Sequence, residues 1–241
     1  MKARFIVLTV FAFAVSGFAD LIQETNEPAR PIPMDQHALR LAYQMQAAVL
    51  RDQDLQKIEE LLKQGVDINA PIGCGTFSPL DGAVSTQNLE MLKFLLAHGA
   101  KPRGREIVEA AFINNPETAL NSVKVLLAAG ADPNSTTDVN PSMINKNGST
   151  AISNAAYRGN RDLVVLLLAR PHINVDAPDV DGYTALMWAA EHGSADIVDL
   201  LVKAGANPNL KNRRGETAAA LAEQGIATRQ AIISKLQSKP K

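Results

Sequence analysis

Four histidines and one cysteine are the side chains of this 241-residue chain best suited to hold a metal or attack a carbonyl. Their spacing builds neither site. His37, His98, His172 and His192 lie in separate stretches with no metal-ligand spacing. A glycine-rich phosphate loop, a Gly-x-Ser-x-Gly nucleophile elbow and a Cys-x-x-Cys pair are all missing. The sequence therefore assigns no catalytic, metal-binding or cofactor-binding residue, and the expectation is a protein that is not an enzyme. Cys74 lies in Ile72-Gly73-Cys74-Gly75, a loop tip. It reads either as a redox or intermolecular thiol or as an incidental surface cysteine. His98 precedes Gly99, where an imidazole meets the last carbonyls of a helix. Asn134-Ser135-Thr136 and Asn147-Gly148-Ser149 match the glycosylation sequon by coincidence of composition. Trp188, the single tryptophan, sits beside Ala189-Ala190 and reads as core, with an interface anchor as the alternative. Arg213-Arg214 reads as a solvated turn.

Composition narrows the partners. Apolar residues make up 46% and charged residues 20%, enough for a sizeable core, and a formal charge of −1 gives no pull toward nucleic acid or anionic lipid. Lys2 and Arg4 precede the apolar run Phe5 to Val15, and Ser16, Gly17 and Ala19 follow. This pattern predicts a secretory signal peptide, residues 1–19, cleaved after Ala19, with an uncut signal anchor as the alternative. Loss of Lys2 and Arg4 would take the formal charge to −3. A periplasmic or secreted protein with no membrane span after cleavage is expected. One cysteine forms no internal disulfide, so packing alone must stabilise the fold. No cysteine stands at the cleavage point, which argues against a lipoprotein.

The elements that would carry any site repeat. Gly148, Gly182 and Gly215 are 34 and 33 residues apart, and residues 182–209 repeat the pattern of residues 148–168. A period near 33 marks a solenoid of helix pairs. Residues 20–36 hold Pro28, Pro31 and Pro33 and read as an extended linker. The second helices carry apolar residues at i, i+3 and i+4: Ile58/Leu61/Leu62, Met91/Phe94/Leu95, Val123/Leu126/Leu127, Leu163/Leu166/Leu167 and Ile197/Leu200/Leu201. Gly65, Gly99, Gly130 and Gly205 end four of them, while Arg170-Pro171 must stop the remaining one differently. Ser78, Thr150, Thr184 and Thr217 are placed to cap the first helices, with Pro79 just inside.

Ser78-Pro79-Leu80, Thr184-Ala185-Leu186, Gly130-Ala131-Asp132-Pro133-Asn134 and Gly205-Ala206-Asn207-Pro208-Asn209 resemble the ankyrin repeat signature. The resemblance covers roughly residues 37–237. It implies an all-α solenoid of about six helix-turn-helix units with hairpin connections, within a repeat domain spanning 37–238. The units fall at 37–69, 70–103, 104–147, 148–181, 182–214 and 215–238. The histidine usual in the family's Thr-Pro-Leu-His is replaced by Asp81, Ser153, Met187 and Ala220. The third unit departs most: Glu106 is expected in the Thr position, with extra residues around Asn115-Pro116-Glu117. Its exit loop, 133–147, is unusually long, and such loops are functional or disordered.

The resemblance further implies binding of another protein through loop tips and exposed ends of the first helices. On this chain the positions are Phe77, Ser85, Thr86, Arg105, Tyr157, Arg158, Val180, Tyr183, Glu191, His192, Lys211, Arg213 and Glu216. A monomer with a protein partner and no cofactor is expected. The alternative role is an inhibitor or immunity protein that blocks a toxic enzyme in the same compartment.

Overall fold

The computed structural model describes residues 36–70, 72, 77–137 and 148–224. The signal-peptide and linker expectations (apart from Gln36), Cys74 and most of the 133–147 loop lie outside them. The chain divides into two compact units, one up to Phe77 and one from Ser78.

In the first unit, α1 (Gln36–Ala47) runs into a π-helical turn (Ala48–Asp52) and packs against α2 (Leu55–Lys63). Met45, Val49, Ile58 and Leu61 are buried between them.

The second unit alternates two kinds of helix. The first kind comprises α3 (Pro79–Ser85), α5 (Arg105–Ala111), α7 (Ala151–Tyr157), α9 (Ala185–Glu191) and α11 (Ala218–Gln224). The second kind comprises α4 (Leu89–Ala97), α6 (Pro116–Ala128), α8 (Arg161–Leu168) and α10 (Ala195–Lys203). Each kind packs on its own neighbours: α3 on α5, α5 on α7, α7 on α9 and α9 on α11; α4 on α6, α6 on α8 and α8 on α10. Among the described residues there is no extended strand, only the isolated bridges Ile72–Phe77 and Thr136–Thr150. The small pairs Ala110-Ala111, Ala155-Ala156 and Ala189-Ala190 are fully buried, so short helices approach without the bulk that would hold them apart.

Side-chain caps fix where most of the described helices start, the exceptions including α5 after Gly104 and α10 after Ser194. Ser78, Thr150 and Thr184 accept from the backbone N–H three residues on, as their spacing predicted. The second helices use a set of caps that the sequence reading passed over: Asp54, Asn88, Asn115 and Asn160 accept from the N–H of Lys57, Met91, Thr118 and Leu163. The missing family histidine has replacements at two positions. Asp81 accepts from Ser78 N–H at 2.7 Å, and Ser153 from Thr150 N–H at 2.9 Å. Each closes a capping box from inside the helix.

The C-terminal glycines also act as expected, all with φ near +90°. The residue after each glycine donates back to Leu61, Leu95, Leu126 or Leu201, at 3.0 to 3.1 Å. Those four leucines are fully buried. The apolar stripe consequently differs from strict i, i+3, i+4 spacing. In α4, α8 and α10 the i+3 residues Phe94, Leu166 and Leu200 are only half-buried. Leu92, Val164 and Val198, one residue after the start of each stripe, are buried in their place.

The third unit corrects two expectations. Gly104, with φ +94°, stands at the N-cap of α5, and Glu106 lies inside the first turn. The side chain of Glu106 accepts from Arg103 N–H at 3.0 Å, so it serves the exposed end of the helix from within rather than from the Thr position. The extra residues Asn115-Pro116-Glu117 are not a loop. Asn115 caps, Pro116 occupies the first turn, and α6 runs for 13 residues against 9 in α4 and 8 in α8. The long loop is closed at its base, where Thr137 N–H donates to Ser149 O at 3.1 Å beside the Thr136–Thr150 bridge.

Candidate functional site

Catalytic machinery requires converging titratable groups, and the histidines do not converge. His98 Nδ1 lies 2.8 Å from Phe94 O, and His192 Nδ1 3.1 Å from Trp188 O. Both imidazoles sit on the last carbonyls of their helices. No group of three His, Cys, Asp or Glu among the described residues is arranged to hold a metal ion. No described helix is long and apolar enough to cross a membrane.

What does converge is aromatic. Tyr157, at the end of α7, stacks on Phe112, the residue after α5, with centroids 5.7 Å apart and planes at 27°. On its other side Tyr157 meets Trp188 of α9 edge-to-face at 5.2 Å and 82°. Trp188 stacks on Tyr183 at 4.4 Å, and His192 lies 4.6 Å from Tyr157. A row of rings thus crosses three neighbouring units along the ends of the first helices. Phe112, Tyr157 and Trp188 are half-buried and His192 is exposed. Such packed pairs stabilise each other by about 0.5–1.5 kcal/mol beyond area burial, and they hold apolar surface in fixed positions.

The row is anchored from beneath. The Trp188 indole donates to the carboxylate of Asp179, which also accepts from Tyr183 N–H at 2.9 Å and Asp181 N–H at 3.0 Å. Burial pushes the Asp179 carboxyl above its ordinary range. Arg158 lies over Phe112 with its guanidinium carbon 3.7 Å from the ring centroid, and its Nε donates to Phe112 O at 2.9 Å. Asn154 reaches the same neighbour through Val108 O at 3.0 Å.

The thirteen residues expected to contact a partner fall into distinct settings. Tyr157, Arg158 and His192 belong to the ring row. Tyr183 does too, but it is only 4% exposed, because it stacks under Trp188 and its hydroxyl is held by Arg214. Glu191 is half-buried, with Oε2 cut off from solvent and unbonded among the described residues. Arg105 is tied to Glu109 at 2.7 Å. Ser85 and Thr86 bond Gly82 O at the end of α3. Val180 lies half-buried in a turn, Lys211 and Arg213 are exposed at the next turn, and half-buried Glu216 pairs with Arg214 at 3.1 Å. Phe77 is half-buried in the first compact unit, bridged to Ile72. The sequence reading missed Phe112, although it follows Ala110-Ala111 as Tyr157 follows Ala155-Ala156. Trp188, expected in the core, is half-buried at the centre of the row.

A second cluster is structural. Asp81 and Glu106 are fully buried carboxylates, faced by Arg103 at 3.1 Å and 3.9 Å respectively. Arg105 Nε lies 3.8 Å from Asp81 and 2.7 Å from Glu109. Burial, then the charge of Asp81, holds the Glu106 carboxyl above its ordinary 4.5, against the bonds from the backbone and the charge of Arg103. The fold therefore favours protonated Glu106. Its contribution is fully present below pH 4.5 and is lost as pH rises through the elevated folded value. Glu106→Gln keeps an acceptor for Arg103 N–H and removes the charge. The variant should be more stable than the parent at neutral pH, with the gap closing toward pH 4 in denaturant titrations. A gap independent of pH would refute the assignment.

Comparison with known proteins agrees with this architecture. A family profile described as ankyrin repeats (3 copies) matches residues 107–212. The crystal structure of an ankyrin repeat domain from Acinetobacter baumannii is 29% identical, with a TM-score of 0.65, covering 84% of this chain and 97% of that one. A putative ankyrin repeat protein of Rickettsia felis is 28% identical over 70% of this chain, which spans 44% of that protein. A palmitoyltransferase of Lachancea kluyveri is 28% identical over 70% of this chain, but the chain spans only 22% of its length. Residues 107–212 carry ankyrin repeats, and the chain shares the fold of solved ankyrin repeat structures.

Proposed function

We propose that this chain is an exported scaffold that binds another protein through the aromatic row on its first-helix ends. Ankyrin repeats are protein–protein interaction modules, and this row is the feature here that suits the task. The observation that carries the reading is a set of half-exposed rings spanning Phe112 to His192, already ordered by mutual contact. Rigid aromatic surface binds at low cost in conformational entropy, and Trp, Tyr and Arg dominate interface energetics. Export rests on Lys2, Arg4, the apolar run Phe5 to Val15 and Ala19. The intact mass of the exported protein should then match a chain beginning at Asp20; full-length mass in the cytosol would overturn export.

Photo-crosslinking tests the face itself. A photoreactive phenylalanine analogue at exposed His192 should capture a partner in the native compartment. The same analogue at Lys203, exposed on α10, should not. Equal capture at both positions would remove the case for the aromatic row.

A further inference from the structure

Among the described arginines of the first-helix ends and turns in the second compact unit, Arg158 combines two properties, the lack of a carboxylate partner and a guanidinium stacked on a ring. Arg213, also without an ion pair, is exposed at its turn with no such stacking. Arg103 is paired with Asp81 at 3.1 Å, Arg105 with Glu109 at 2.7 Å and Arg214 with Glu216 at 3.1 Å. Arg158 has no carboxylate within ion-pair distance among the described residues. Its guanidinium is nevertheless fixed: one face lies on Phe112 at 3.7 Å, Tyr157 is 5.4 Å away, and Nε is spent on Phe112 O. The two terminal nitrogens make no bond to a described residue and are not among the atoms buried without a partner, so they reach solvent. Stacking and the Nε bond have already removed much of the rotamer freedom that an arginine loses on binding. A planar fork held this way fits one partner group well, a carboxylate taken by two parallel N–H donors.

Building on the proposed binding face, we infer that Arg158 is a carboxylate-recognition position. The protein partner presents an aspartate or glutamate to it, next to an apolar side chain that lies on Tyr157 and Trp188. Charge complementarity decides in favour of an acid. The cationic head is unpaired, whereas Glu191, on the same helix as Trp188, has its Oε2 shielded from solvent. An acidic side chain completes the ion pair with little rearrangement; a basic one would face Arg158 with like charge.

The test uses a phage-displayed library of random peptides selected on the full mature chain, so that no partner need be known. Selected peptides should carry an acidic residue beside an aromatic or aliphatic one. Replacing that acid by its amide should weaken binding to the parent protein by at least about tenfold. The same replacement should change binding to Arg158→Gln by less than about twofold, since the pairing group is gone. Arg158→Lys, which keeps charge and loses the fork, should recover only part of the difference. Thermal unfolding checks that each variant is folded. Peptides without an acidic requirement, or an acid-to-amide loss of equal size in parent and Arg158→Gln, would overturn the inference. If such peptides still lose affinity for Tyr157→Ala, the binding face stands and only the carboxylate role falls. Peptides that bind Tyr157→Ala as tightly as the parent would overturn both.

Discussion

Leu201→Ala should destabilise the protein by about 2–5 kcal/mol, through lost transfer free energy and the cavity left behind. Leu201 is fully buried in α10, a helix that packs on both α8 and α9. Its carbonyl also accepts from Ala206 N–H at 3.0 Å, the bond that reverses the chain at Gly205. Collapse around the missing side chain is therefore resisted by a fixed turn as well as by packed neighbours. Arg213→Ala supplies the contrast. Arg213 is exposed, and its backbone N–H donates to Asp181 O at 2.8 Å, a bond the substitution leaves in place. Its cost should not exceed about 0.5 kcal/mol. Denaturant titration should give a clearly lower midpoint for Leu201→Ala. Equal midpoints would refute the assignment of inside and outside in the repeat.

The fold was legible because each unit writes its boundaries in single residues. Ser78, Thr150 and Thr184 mark helix starts by side-chain bonds that span three residues, and Gly65, Gly99, Gly130 and Gly205 mark ends by backbone conformation. These are local effects, so a local reading finds them. The third unit misled the reading for a local reason too. Gly104 carries no side chain to announce a cap, while Asn115-Pro116 looks like a turn and is a helix start. The binding row was only half legible. Its contacts join residues 45 and 31 positions apart, Phe112 to Tyr157 and Tyr157 to Trp188. Nothing within one unit states how far its neighbour lies. A tryptophan beside two alanines is equally at home in a core, and only the stacking of α7 on α9 decides how much of its ring meets water.

Tyr157→Ala is expected to have the largest effect on binding. Tyr157 touches Phe112, Trp188 and His192, so its loss removes exposed contact area and loosens three neighbouring rings at once. Central aromatic anchors of interfaces commonly cost about 2 kcal/mol or more on truncation, roughly 30-fold in affinity. The fold should persist, because Tyr157 is half-buried and the core pair Ala155-Ala156 beside it is untouched. Lys203→Ala, on the exposed side of α10, is the matched control; its side chain pairs only with Asp199 at 3.0 Å among the described residues. The deciding measurement is the dissociation constant of the crosslinked partner for parent, Tyr157→Ala and Lys203→Ala, each confirmed folded by thermal unfolding. Binding through the aromatic row predicts a loss of about 30-fold for Tyr157→Ala and none for Lys203→Ala. Parent-like affinity in a folded Tyr157→Ala protein would contradict it.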